Sequence, residues 1–268
     1  MKRAYKYKIR PTAGQRQKLS RFFGCVRFIY NWGLDRKIKA YTESKKTLTY
    51  FQLTKELTLL KKEEEHKWLS DCANESLQQS LRCLDNAYTN FFRSKKGFPK
   101  FKAKKRSKDV CKFVNNVCFD FVKWRVKVSK VGWIRLCPNR EFDQSVCKTG
   151  TVTVSRDKCG DYWCVVVVDD GQPSVSKAKI REETSVGIDL GIKDYAVLSD
   201  GTKYGNPKFL EKGQSRLALL QKRFAQTQKC SNRHEAMRVK VALQYIRIAN
   251  RIIDFFHKLT IDLVRRFD

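Results

Sequence analysis

Ser185-Val186-Gly187-Ile188-Asp189-Leu190-Gly191-Ile192-Lys193-Asp194-Tyr195-Ala196-Val197-Leu198-Ser199-Asp200-Gly201 is the stretch on which the reading of this chain turns. The pattern predicts a short buried strand ending in Asp189 and Leu190, a turn at Gly191, and a second strand from about Tyr195 to Leu198. Asp200-Gly201 then predicts a tight hairpin turn into a third strand around Lys203 and Tyr204. An aspartate within an apolar strand is costly to bury unless it is paired or coordinates a metal. Asp189 is therefore the candidate catalytic and metal-ligating residue; the competing reading is an aspartate that merely caps the turn.

Three meandering strands led by such an acid are how ribonuclease-H-like domains begin, where clustered carboxylates hold two divalent cations. Sugar kinases and actin-like ATPases use a similar turn, usually followed by Thr or Ser; here Ile192 and Lys193 follow. Downstream of Pro207 the pattern is a basic amphipathic helical hairpin. Leu217, Leu220 and Phe224 mark its first apolar face, and Ile246, Ala249, Ile253, Phe256, Leu259, Leu263 and Phe267 mark the second, over about 236–267.

Upstream, residues 170–183 form a polar linker, and the 50 residues from 151 to 200 carry 6 basic against 9 acidic side chains. The whole chain runs the other way, with 57 Lys and Arg against 27 Asp and Glu, a net charge of +30 over 268 residues. Such self-repulsion destabilises a compact state unless a polyanion is nearby, and nucleic acid is the obvious one. At 41% hydrophobic and 12% aromatic residues the chain can still bury a core, which excludes a disordered polycation. Ten cysteines without paired C-x-x-C knuckles give no zinc site and read as reduced thiols; Cys159 and Cys164 are the nearest pair. No apolar run is long enough to cross a membrane, and with no signal peptide the expected location is cytoplasmic, on the nucleoid.

The N-terminal half reads as strand, helices, then strands. Residues 4–10 alternate apolar and basic, Pro11 and Thr12 open a helix, and further helices fall near 50–66 and 73–93. In the last of these Leu77, Leu81, Leu84, Tyr88 and Phe91 form a core stripe that leaves Gln78, Gln79 and Arg82 facing solvent or a ligand. Residues 111–168 read as short strands of a barrel or sandwich, shared with the N-terminal strand. Between them, residues 91–108 hold nine basic residues, four phenylalanines and no acid, and Gly97 and Pro99 forbid a continuous helix. Cations interleaved with rings suit phosphates and bases, so Arg93, Lys95, Lys96, Lys100, Phe101, Lys102, Lys104, Lys105 and Arg106 are candidate nucleic-acid contacts. The competing reading is a solvated loop anchored by Phe98 and Phe101.

Taken in order, four segments resemble the TnpB (OrfB) family, insertion-sequence-encoded relatives of type V CRISPR effectors. They are Tyr5–Thr12 with Gly24–Trp32, Leu77–Arg82 leading to Phe91-Phe92, Gly97–Lys102, and Gly187–Gly191, with His257-Lys258-Leu259-Thr260 and Leu263-Val264 behind them. The resemblance implies an α+β fold: a wedge-like, oligonucleotide-binding-like β-barrel over 1–10 and 94–169, a helical recognition domain at 11–93, and part of a RuvC domain at 184–268. It implies an RNA-guided DNA endonuclease whose partners are a guide RNA and target double-stranded DNA, cutting with Mg²⁺. On it, Asp189 matches the first of three catalytic carboxylates, Lys100 and Lys102 fall in an RNA-contacting segment, and Gln78, Gln79 and Arg82 lie on a helix facing DNA. Family members continue past Phe267-Asp268 into a strand with a catalytic Glu, a four-cysteine zinc ribbon and a final Asp. One carboxylate cannot hold two metals, so the expectation is a chain that does not cut alone and whose first strand, lacking a neighbour, leaves an apolar edge open. Three states are compatible with that: a nuclease split from its C-terminal fragment, a nuclease-dead RNA-guided DNA-binding repressor, or a non-specific nucleic-acid-binding remnant.

Overall fold

The computed structural model describes residues 1–94, 97–104, 106–145, 147–173 and 185–267. The chain divides into two compact units, Met1–Ser174 and Val175–Asp268. It is a mixed α+β protein. Most of the segment expected as a linker, 174–183, lies outside the described residues.

In the first unit strand β1 (Lys2–Arg10) runs into helix α1 (Ala13–Ser44). Thr12 and Gln15 start that helix as a reciprocal capping box, each side chain satisfying the other's backbone N–H. Helix α2 (Tyr50–Leu60) opens with the same device at Thr49 and Gln52. A 3₁₀ segment (Glu64–Asp71) then leads to α3 (Asn74–Ser94). Leu77, Leu81 and Leu84 of α3 are fully buried, as their spacing predicts. Opposite them, Gly33 of α1 lets the two helices approach closely: a Cβ there would stand 2.8 Å from a Leu81 methyl and 3.1 Å from one of Leu84.

Strands β2 (Asp109–Phe113), β3 (Cys118–Asp120), β4 (Arg125–Val128), β5 (Gly132–Leu136), β6 (Lys148–Arg156) and β7 (Tyr162–Asp169) join β1 in one antiparallel sheet of order β2-β6-β7-β1-β5-β4-β3. The N-terminal strand is thus central. The sheet curls: three strand spacings separate β1 from β3, about 14 Å in a flat sheet, yet the rings of Tyr7 and Phe119 lie 6.2 Å apart. Asp109 bridges Arg27 of α1 at 2.8 Å and Arg156 of β6 at 2.6 Å, tying helix to sheet through charge-assisted bonds. The acidic bias near residue 160 has local uses. Asp157 accepts from the Cys159 and Asp161 amides and the Trp163 indole, while Asp169 and Asp170 hold the N-terminal amine.

The second unit is a three-stranded antiparallel meander, β8 (Ile188–Leu190), β9 (Asp194–Leu198) and β10 (Lys203–Gly205), followed by helices α4 (Phe209–Ala225) and α5 (Asn232–Phe267). Tyr195 packs against Phe255 and Phe256 of α5, and Tyr204 donates to Asp262. The α5 face predicted to be apolar needs correction. Gln244 and Ile248 are buried, whereas Ala249, Ile253 and Phe256 are exposed. Ile246, Leu259, Leu263 and Phe267 of the expected face are half-buried, so that face is partly covered.

Candidate nucleic-acid interface and carboxylate strand

The basic segment after α3 is a strap fixed to α1. Asn31 clamps it: its side-chain amide donates to the Lys102 carbonyl at 2.9 Å, and its side-chain oxygen accepts from the Lys102 N–H at 2.8 Å. The Lys102 ammonium lies over the Tyr30 ring, 3.6 Å from its centroid. Burial, with Lys112 and Arg27 nearby, holds the Lys102 amine below its ordinary value. Phe98 packs edge-on against Tyr88 and Phe91, fixing the other end. Of the two anchors expected in the solvated-loop reading, Phe98 is packed and Phe101 is not. Phe98 and Lys102 anchor, while Lys100, Phe101, Lys104 and Arg106 point outward, with Phe101 57% exposed. Arg93 is exposed at the end of α3. Lys95, Lys96 and Lys105 lie outside the described residues.

On α3, Arg82 is exposed and covers the Tyr50 ring at 5.5 Å, while Gln78 and Gln79 are half-buried. Ser76 and Ser80 hold the helix's inner side by donating to the carbonyls of Lys112 and Val26. The Asn31 clamp was not legible in the sequence. Asparagine in a helix has no distinguishing spacing, and its partner lies 71 residues away.

Asp189 sits at the centre of β8, opposite Val197 of β9, in the three-stranded meander its pattern predicts. Its expected burial is overturned: every residue of β8 is exposed, with Leu190 at 67% and the following Ile192 at 86%. The reason is topological, because β8 is an edge strand with one neighbour. Among the described residues β9 is its one strand neighbour, and its apolar side chains are left exposed. Gly191 is required at the turn, since a Cβ there would come 2.8 Å from the Asp194 carbonyl oxygen. Asp200 shapes the next turn by accepting from the Thr202 N–H at 2.8 Å, which holds its carboxyl below the usual range. Asp194 stands opposite Gly205 rather than beside Asp189.

Among the described residues no group of three or more His, Cys, Asp or Glu is placed to hold a metal ion. Mg²⁺ asks for about six oxygens in octahedral array, and Asp189 offers two. The described residues do not by themselves form a Mg²⁺ site. All ten cysteines are free; Cys25, Cys72 and Cys111 are buried together, where hydrogen bonds with the Cys111 and Cys25 thiols, and then burial, push Cys72 up. No helix among the described residues is long and apolar enough to cross a membrane.

Known proteins match this chain along nearly all of its length. A helix-turn-helix domain family (HTH_OrfB_IS605) matches residues 1–46, which fold here as β1 and one unbroken helix, and a family described as a probable transposase (OrfB_IS605) matches 164–268. Two curated relatives carry the name "Putative RNA-guided DNA endonuclease". The one from Streptomyces pristinaespiralis is 34% identical over 99% of this chain and 65% of its own length. The other, InsQ of Escherichia coli K12, is 33% identical over 96% of this chain and 62% of its own. This chain thus spans about two thirds of those relatives' length. A chain in the cryo-EM structure of a Cas12f1–sgRNA–target DNA complex aligns over 97% of this chain and 71% of its own, at 15% identity and a TM-score of 0.34, too loose to carry an argument. With matches at both ends, and relatives aligned along nearly all its residues, the chain belongs to the TnpB (OrfB) family.

Proposed function

We propose that this chain binds a guide RNA and its target double-stranded DNA, as the nucleic-acid-gripping portion of a metal-dependent, RNA-guided DNA endonuclease. The observation that carries the reading is the strap. In a chain of net charge +30, the segment richest in cations is held at Phe98 and, through Asn31, at Lys102, with Lys100, Phe101, Lys104 and Arg106 exposed. A contact surface ordered before binding loses less conformational freedom when it binds. In this reading the curled sheet with residues 94–104 is the wedge, α1 to α3 form the recognition domain, and Gln78, Gln79 and Arg82 meet nucleic acid. The meander with α4 and α5 is the opening part of the RuvC domain.

Asp189 supplies one carboxylate of the cutting site, exposed on an edge strand. Mg²⁺, where bound, would activate water and stabilise the leaving oxygen. The described acids do not complete that site, so this chain binds without cutting until further carboxylates are provided by another segment, and the open β8 edge is where a neighbouring strand would pair. The names of the two curated relatives support this reading.

The test is to purify the chain from cells transcribing its own flanking DNA, sequence the co-purified RNA, and measure binding to duplex DNA matching that RNA. Binding should follow the RNA sequence and survive Asp189→Ala. Sequence preference that persists after the RNA is stripped would refute it.

A further inference from the structure

The seven-stranded sheet has a second face, opposite the core, and its register concentrates cations there. Directly opposed residues of an antiparallel pair share a face. Arg10 of β1 stands opposite Arg135 of β5, which on its other side stands opposite Arg125 of β4. One step along, Lys127 stands opposite Trp133. Like charges placed directly opposite one another destabilise a sheet, yet three arginines here cross three adjacent strands in a row about 10 Å wide.

Only part of that charge is compensated. Arg125 pairs with Asp120 at 2.8 Å, and Lys8, further along β1, pairs with Asp161 at 2.7 Å. Arg10, Arg135 and Lys127 are exposed and form no ion pair among the described residues. At the same end of the face the Trp133 ring is 38% exposed, and the Arg125 guanidinium lies 4.4 Å over it. The Trp133 backbone is held by Gln15, which donates to its carbonyl at 2.7 Å.

We propose that this face binds a single-stranded segment of nucleic acid. Arg10, Arg135 and Lys127 hold successive phosphates, and a base stacks on the Arg125–Trp133 pair. The row of unpaired cations calls for a polyanion. The aromatic–guanidinium platform selects an unpaired base, because a duplex keeps its bases stacked out of reach of a sheet face. The inference rests on the reading that the chain binds nucleic acid and names a surface that the strap does not include.

The experiment uses the full chain and fluorescent 15-nucleotide probes: single-stranded RNA, single-stranded DNA, and the matching duplex, followed by anisotropy across a salt series. The triple variant R10Q/R135Q/K127Q is compared with K212Q/K222Q/K229Q, which removes the same charge from exposed positions of the second unit. The sheet variant should lose at least tenfold in single-strand affinity, and its log–log salt slope should fall by about 2. Its unfolding midpoint should hold or rise by about 1–3 °C as repulsion is relieved. W133L should lose at least fivefold on single strands, RNA or DNA. Equal losses in the two triple variants, or tighter wild-type binding to duplex than to either single strand, would overturn the proposal while leaving the proposed function standing. A wild-type chain that binds none of the probes would overturn both.

Discussion

Replacing Asn31 by Ala tests whether the basic strap is ordered by one side chain. The substitution removes two hydrogen bonds, at 2.9 and 2.8 Å, to the backbone of Lys102. A net value of about 0.5–1.5 kcal/mol for each gives a loss of about 1–3 kcal/mol. For a unit of this size 1 kcal/mol moves the unfolding midpoint by about 2–4 °C, so a central loss of 2 kcal/mol lowers it by about 4–8 °C. The local effect should exceed the global one, because the Lys102 amide and carbonyl gain no other partner and the segment can lift away from Tyr30. Limited trypsin digestion, with cleavage read by mass spectrometry, should show cuts at Lys100, Lys102 and Lys104 at least tenfold faster, with sites in β6 and β7 unchanged. Asn90→Ala on the exposed side of α3 is the control. If strap cleavage and midpoint in Asn31→Ala match that control, the strap is held by something else and its preorganisation is disproved.

Lys102→Met keeps the aliphatic stem over Tyr30 and removes the desolvated charge. Because the folded-state pKa of Lys102 is lowered, the folded protein sheds its proton before the unfolded chain does, so wild-type stability gains on the variant as pH rises toward 10.5. Urea unfolding of both proteins at pH 7.5 and 9.5 should show the variant at least as stable at the lower pH and its advantage shrinking at the higher; a widening gap would contradict the direction of the shift. Gly33→Val drives a branched side chain into Leu81 and Leu84 and should cost about 1–3 kcal/mol by overpacking, measured by thermal unfolding. Leu190→Lys with Ile192→Lys should suppress self-association in light scattering without lowering the midpoint, since both side chains are exposed at an open edge; unchanged association would show that the edge is not sticky.

Several features were legible in the residues because they depend on local periodicity or on charge. The α3 stripe steps by 4 and 3, so Leu77, Leu81 and Leu84 reach the core wherever that core lies. The meander followed from short apolar runs broken by Gly191 and Asp200-Gly201. Other features needed long-range pairing. An apolar run is compatible with either a central or an edge strand, so only the order β10-β9-β8 makes Asp189 exposed rather than buried. Periodicity placed Ile253 and Phe256 on the inner face of α5, but the buried pair is Gln244 and Ile248. Lys102 read as one more cation in a basic run until Asn31 and Tyr30 came to it from α1. The opposition of Arg10 to Arg135, and through it to Arg125, exists only through register between β1 and a strand more than a hundred residues further along the chain. Sequence alone determined most of which segments are helix and strand and the chain's large excess of positive charge, because those follow from nearest-neighbour spacing and summed charge. Tertiary structure decided which of the charged and apolar residues face outward, because burial and register are set by partners the chain supplies from elsewhere.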